Sequence, residues 1–177
     1  DYDSLEIRNA SFVDEALQER HSDIVYKTRI RGRIGFLYIL FEHQSKPDFL
    51  MIFRLLCYMI NLWKSYLDQH PQEKTLPAIF PAVLYHGRRK WNAPFTLREI
   101  MDAGPELDEY IPNFSYQLYD LHDYEDERLL LGDYLAVGVV LYLMKHIFDD
   151  DFERVFTQVI QSLQKMGDRK AYLEFLE

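Results

Sequence analysis

The chain has 177 residues, 48% hydrophobic and 28% charged, which suits one compact domain with a sizeable core and excludes disordered, collagen-like and coiled-coil classes. Aromatic residues make up 15%, with 13 Tyr and 12 Phe, so large rings dominate the prospective core. The net charge of −9 is uneven: residues 1–100 hold 14 Lys+Arg against 12 Asp+Glu and residues 101–177 hold 6 against 17, so a polyanion could be accepted only on the first part.

The single cysteine, Cys57, excludes an intrachain disulfide and any CxxC motif and fits a reducing, cytoplasmic compartment. Tyr134 to Met144 is the most apolar stretch, about half the roughly 20 residues that a spanning helix needs, so no membrane is expected. The opening DYDSLEIRNA has neither Met nor an apolar signal core and predicts a segment upstream.

A short strand is expected at residues 4–9. Ser22 to Ile30 and Ile34 to Gln44, rich in β-branched and aromatic residues, predict two more. Gly32-Arg33 between them suits a type II′ turn, because glycine accepts the positive φ required at its first position. Ser45 as cap, Pro47 in the first turn and Asp48 at the dipole predict a helix running to about Gln69. Its apolar stripe comprises Ile52, Leu55, Leu56, Met59, Ile60, Trp63, Tyr66 and Leu67. A strand at Ala78 to Tyr85 follows, despite Pro77 and Pro81. Beyond it the pattern predicts a weak helix over 97–103, a strand over 116–121, and helices over about 126–148 and 151–165, the former weakened by Gly132 and Gly138. Together these predict an α/β mixed sheet flanked by helices, with a helical C-terminal part.

The proposed turn makes Arg31 face Ile34, Lys27 face Tyr38 and Asp23 face Glu42. Two carboxylates directly opposed, with Cβ atoms about 4.5–5.5 Å apart, repel unless one is protonated or a cation lies between them. Gln44 shares their face by alternation, and His43 takes the other. Three oxygen-bearing side chains suit Mg²⁺. The alternative is a pair of solvated charges at two strand ends. Two basic clusters, Lys27/Arg29/Arg31/Arg33 and Arg88/Arg89/Lys90, are either phosphate contacts or solvated turns. His86, beside a glycine turn, is either a local hydrogen-bonding residue or a neighbour of the acids.

The segments SFVDEALQERHSDIVYK, FLYILFEHQSKPDFLMIFRLLCYM and LPAIFPAVLYHG, within residues 11–91, resemble the Rpn family of recombination-promoting nucleases in the PD-(D/E)XK superfamily. The resemblance implies a restriction-endonuclease-like core over residues 1–125, lacking its first helix, with 126–177 as a helical extension of the same domain. It implies that Asp23 is the motif aspartate and that Glu42-His43-Gln44 is the E-x-K element with Gln replacing Lys. Asp14 or Glu15 would have to stand in for an acid of the first helix. The implied activity is Mg²⁺-dependent, or Mn²⁺-dependent, hydrolysis of DNA phosphodiester bonds. Asp23, Glu42 and the His43 carbonyl would hold the metal, and Gln44 would position water. Arg31, Arg33, Arg88, Arg89 and Lys90 would contact DNA phosphates. The competing reading is a catalytically silent relative serving as a protein-interaction or dimerisation module, and a homodimer is open in either case.

Overall fold

The sequence SDIVYKTRI, β-branched or aromatic at five of its nine positions, forms strand β2 (Ser22–Ile30), antiparallel to β3 (Arg33–Glu42). These strands come from a computed structural model that describes residues 6–8, 22–30, 33–42, 46–130 and 135–165. Internal contacts divide the chain into two units, residues 1–119 and 120–177.

The first unit carries most of a five-stranded sheet in the order β1-β2-β3-β4-β5. Strand β1 (Glu6–Arg8) pairs antiparallel with the middle of β2, and β4 (Ala78–Tyr85) runs parallel to β3, from Gly35 opposite Ala78 to Glu42 opposite Tyr85. The short β5 (Gln117–Asp120) lies beside β4, and the sheet is mixed as expected. A parallel pair cannot be closed by a hairpin; helix α1 (Met51–Gln69) makes the crossover.

Helix α1 starts later than its capping signals suggest. Its first residue is Met51, and Pro47 precedes the helix rather than opening it. Asp48 turns the chain instead: its Oδ1 accepts from the Leu50 amide at 2.9 Å and its carbonyl from the Met51 amide at 3.1 Å. This is the Asx-type turn that short carboxylates favour, and proline disfavours a helical conformation at Lys46 before it. The buried face is Met51, Ile52, Leu55, Tyr58, Met59, Leu62 and Tyr66. Ile60 and Leu67, expected in the stripe, are exposed, because the face that meets the sheet is rotated toward Tyr58 and Leu62. With Val25, Phe36, Val83, Tyr85, Leu97 and Tyr116, the α1 residues Met51, Ile52, Leu55, Tyr58, Leu62 and Tyr66 form one core. Trp63 is half-buried and donates from Nε1 to the Pro77 carbonyl at 2.9 Å, which fixes the entry to β4.

After β4 the weak helix is a single 3₁₀ turn at Leu97–Ile100, and a second 3₁₀ segment, Pro105–Tyr110, had no periodic signal to announce it. Among the described residues no helix is long and apolar enough to cross a membrane.

The second unit contains α2 (Asp126–Leu130), α3 (Leu135–Lys145) and α4 (Phe152–Lys165) around a core of Leu129, Leu130, Val139, Tyr142, Val155, Val159 and Leu163. One continuous helix over 126–148 is therefore replaced by two, on either side of residues 131–134. At the junction of the second helix, Asp126 Oδ1 accepts from Lys145 Nζ at 2.7 Å and meets His146 Nε2 at 3.0 Å. Partial burial alone would raise the Asp126 carboxyl, but the hydrogen bonds and charges of Lys145 and His146 outweigh it and hold the group below its ordinary value. A depressed folded-state pKa stabilises the fold above the unfolded carboxylate value near 4 and loses that contribution as pH falls through the folded value. Asp126→Asn is expected to cost no more than about 1 kcal/mol at pH 7, since the pair is partly screened. The difference from wild type should shrink in thermal melts as pH falls below about 4 and vanish once pH has passed below the lowered folded value of the carboxyl.

Candidate functional site

The hairpin that carries the two candidate acids closes one residue earlier than the glycine suggested. The last pair of the ladder is Ile30 opposite Arg33, so residues 31 and 32 connect the strands, and Arg29, not Arg31, faces Ile34. Lys27 faces Phe36 rather than Tyr38, and Asp23 faces Leu40 rather than Glu42. The expected head-on opposition of Asp23 and Glu42 is thus corrected. Moving a two-residue turn by one position displaces the register by two, and an even displacement preserves the face. Backbone positions 23 and 42 remain on one side of the sheet as diagonal neighbours, a relationship of about 7–8 Å. The repulsion that seemed to demand a proton or cation is correspondingly weaker. His21, Arg31, His43, Gln44, Asp14 and Glu15 lie outside the described residues.

Glu42 ends β3 level with Tyr85, the last residue of β4. Around this end of the sheet the protein buries polar groups that periodicity does not reveal. His86 follows β4 immediately and is buried. The hydroxyls of Tyr58 and Tyr85 are buried in the core that α1 shares with the sheet. Arg54, one turn into α1, donates from Nη1 to Asp48 Oδ2 at 2.6 Å, tying the start of the helix to the segment that leaves β3. The sequence offered a signal for this pair in the Asp48/Arg54 spacing across a helix start, but only the Asx turn brings them together.

The second basic cluster leaves the sheet at the Glu42 end. Arg88, Arg89 and Lys90 are all exposed in the segment after His86-Gly87. That segment is tied down by rings: Trp91 lies edge-on to Tyr85 at 4.9 Å and donates from Nε1 to the Tyr116 hydroxyl at 2.9 Å, while that hydroxyl donates to the Pro94 carbonyl at 3.0 Å. Burial pushes the Tyr116 phenol well above its ordinary range, so it stays protonated and able to donate. Arg33 stands at the other end of β3, nine residues from Glu42 and so about 30 Å away. The two basic clusters therefore do not flank one point; a DNA strand touching both would span about nine nucleotides at roughly 3.4 Å each. Among the described residues no three His, Cys, Asp or Glu side chains come together as a metal cluster, and the side chains of Asp23 and Glu42 are not within that set.

Sequence comparison supplies the remaining information. The family described as "Putative transposase, YhgA-like" matches residues 1–174. The recombination-promoting nuclease RpnD of Escherichia coli O157:H7 is 31% identical over 161 residues, covering 90% of this chain and 60% of the relative. RpnC of Escherichia coli strain K12, also named a recombination-promoting nuclease, is 28% identical over 90% of this chain and 52% of its own length. The inactive recombination-promoting nuclease-like protein RpnE of the same strain is 22% identical over 98% of this chain and 62% of its own. The chain thus spans between about half and three-fifths of the length of these relatives. No solved structure matches it.

Proposed function

The chain belongs to the YhgA-like transposase family and is homologous to the recombination-promoting nucleases of Escherichia coli, and on that premise we propose that it is a metal-dependent DNA endonuclease of restriction-endonuclease-like fold, acting in the cytoplasm in recombination or transposition. The observation that carries this reading is the placement of positions 23 and 42 on one face, at the end of the sheet from which the basic segment emerges. The donor set fits a hard cation, since two carboxylates and the His43 carbonyl offer only oxygen. A diagonal pair leaves a gap that an Asp arm and a longer Glu arm can span jointly. Bound Mg²⁺ or Mn²⁺ would polarise the scissile phosphate and lower the pKa of water. Gln44, an amide where the superfamily carries lysine, would orient the attacking water by hydrogen bonding and add no charge. Asp23 and Glu42 would fix the geometry, and Arg88, Arg89 and Lys90 would hold the backbone beside it. Arg31 and Arg33 would engage phosphates several nucleotides away.

The test is nicking of supercoiled plasmid by the full-length protein with Mg²⁺, set against Asp23→Ala and Glu42→Ala. Cleavage lost in both variants supports the assignment, and equal cleavage by all three removes it. A second reading, a silent relative that binds a protein partner or dimerises, is favoured by the match of 98% of this chain to 62% of an inactive relative. Absence of cleavage by any form, together with a stable homodimer or partner complex, would establish it.

The basic segment makes a separate prediction. Replacing Arg88, Arg89 and Lys90 together by alanine should weaken duplex binding at low salt and lower the slope of log K against log[salt] by up to about 3, because each phosphate contact releases roughly one counterion. Anisotropy titrations over a salt series measure both quantities.

A further inference from the structure

Segment 86–96, HGRRKWNAPFT, contains three cations and no acid, and near its end stands an aromatic ring, Phe95, that the fold holds rigid yet leaves partly exposed. Phe95 stacks on Tyr116 with centroids 5.0 Å apart and planes 18° from parallel. Tyr116 itself is buried and fixed through its hydroxyl to both Trp91 and Pro94. The backbone of Phe95 is equally constrained. Its amide donates to Glu99 Oε1 at 3.2 Å, and the same oxygen accepts from the Thr96 amide at 2.8 Å and the Thr96 hydroxyl at 2.6 Å. The Thr96 hydroxyl is also the main cause holding the Glu99 carboxyl below its ordinary value, so this clamp persists at neutral pH.

One face of the Phe95 ring is thus occupied by Tyr116 while the residue remains 41% exposed. Keeping an immobilised ring in water forgoes the stabilisation its burial would bring. An aromatic face in the same short segment as a run of cations has a specific chemical complement: a nucleobase stacks on the ring while phosphates along its strand meet the charges, and pre-organisation of the ring lowers the entropic cost of that contact.

We propose that Phe95, backed by Tyr116 and preceded in the chain by Arg88, Arg89 and Lys90, is a stacking platform for an unpaired base of single-stranded or locally opened DNA. The choice of DNA rests on the nuclease reading; the platform itself rests on ring geometry and charge. A duplex keeps its bases stacked on one another, so the platform discriminates single-stranded from paired substrate.

The experiment uses the intact protein in EDTA, which removes cleavage from the readout. The probes are a single-stranded oligonucleotide containing one 2-aminopurine and the duplex formed from it. Wild type should bind the single strand with a change in 2-aminopurine fluorescence. Phe95→Ala and Phe95→Leu should each weaken that binding about tenfold and abolish the fluorescence change, with less than about a twofold effect on the duplex. Phe95→Trp should retain both, and thermal melts identify any variant that has lost its fold. Wild-type affinity in Phe95→Ala, retention of binding by Phe95→Leu, or equal losses on both probes in a folded variant would overturn the platform. So would single-stranded RNA binding while DNA does not. A protein that shows the stacking signature but never nicks DNA with metal retires the nuclease reading alone. Nicking that depends on Asp23 and Glu42, with Phe95→Ala binding unchanged, retires the platform alone.

Discussion

Glu42→Ala is expected to lower Mg²⁺-dependent plasmid nicking by on the order of 10²–10³-fold, the scale of loss when one preorganised stabiliser of transition-state charge is removed. Asp23→Ala should behave alike, and the double variant should be little worse than either, because the two would act as a unit as the proposed ligands of one ion. The register adds a sharper expectation. Diagonal positions stand about 7–8 Å apart, against the shorter separation of a directly opposed pair, so on the proposed assignment the extra methylene of Glu42 would be what lets the two carboxylates close on a common ion. Glu42→Asp keeps the charge but shortens the arm, and should weaken Mg²⁺ binding roughly tenfold to a hundredfold, the range found when the support of a metal site is disturbed. Had Asp23 and Glu42 faced each other, that exchange would have been tolerated. Isothermal titration with Mg²⁺ or Mn²⁺ in the presence of uncleavable DNA separates the cases, and wild-type affinity in Glu42→Asp would show that these two positions do not share an ion.

The same hairpin shows what a sequence can and cannot specify. Gly32 can serve as the first or the second residue of a two-residue loop, and local turn chemistry permits both. Only the accumulated pairing of nine residues along β2 and β3 decides, and it selects the connection at 31–32. Because each such choice displaces the register by two, the face shared by positions 23 and 42 was legible while their separation was not. Strand β4 was legible to the residue: its apolar run is bounded by Pro77 on one side and His86-Gly87 on the other. The aromatic scaffold of segment 86–96 was hidden for the opposite reason. Trp91 and Tyr116 are 25 residues apart in the chain, and no local pattern encodes their hydrogen bond. Asp48 was read as a dipole partner of the helix, and the structure shows it as the residue that delays the helix and binds Arg54.

Gly138→Ala is expected to destabilise the second unit by about 1–3 kcal/mol, although the same change in an exposed helix would gain up to about 1 kcal/mol from helix propensity. A Cβ built at this position lies 1.9 Å from the Leu129 carbonyl oxygen, so α2 and α3 must separate to admit it. In one continuous helix, residues nine apart would be about 13.5 Å from each other along the axis. Their close approach is therefore itself the physical evidence that α2 and α3 are not parts of one continuous helix. A glycine that reads from sequence as a weakness in a helix is the condition for two helix backbones to meet. The cost falls on a unit whose core, among the described residues, is built from short α2 and the facing residues of α3 and α4, so a change of this size is a large part of what holds it together. Thermal or urea melts of Gly138→Ala should show a lowered midpoint. Phe95→Ala, on the other unit, should leave the transition of this one in place. An unchanged midpoint in Gly138→Ala would mean that α2 and α3 do not approach at this glycine.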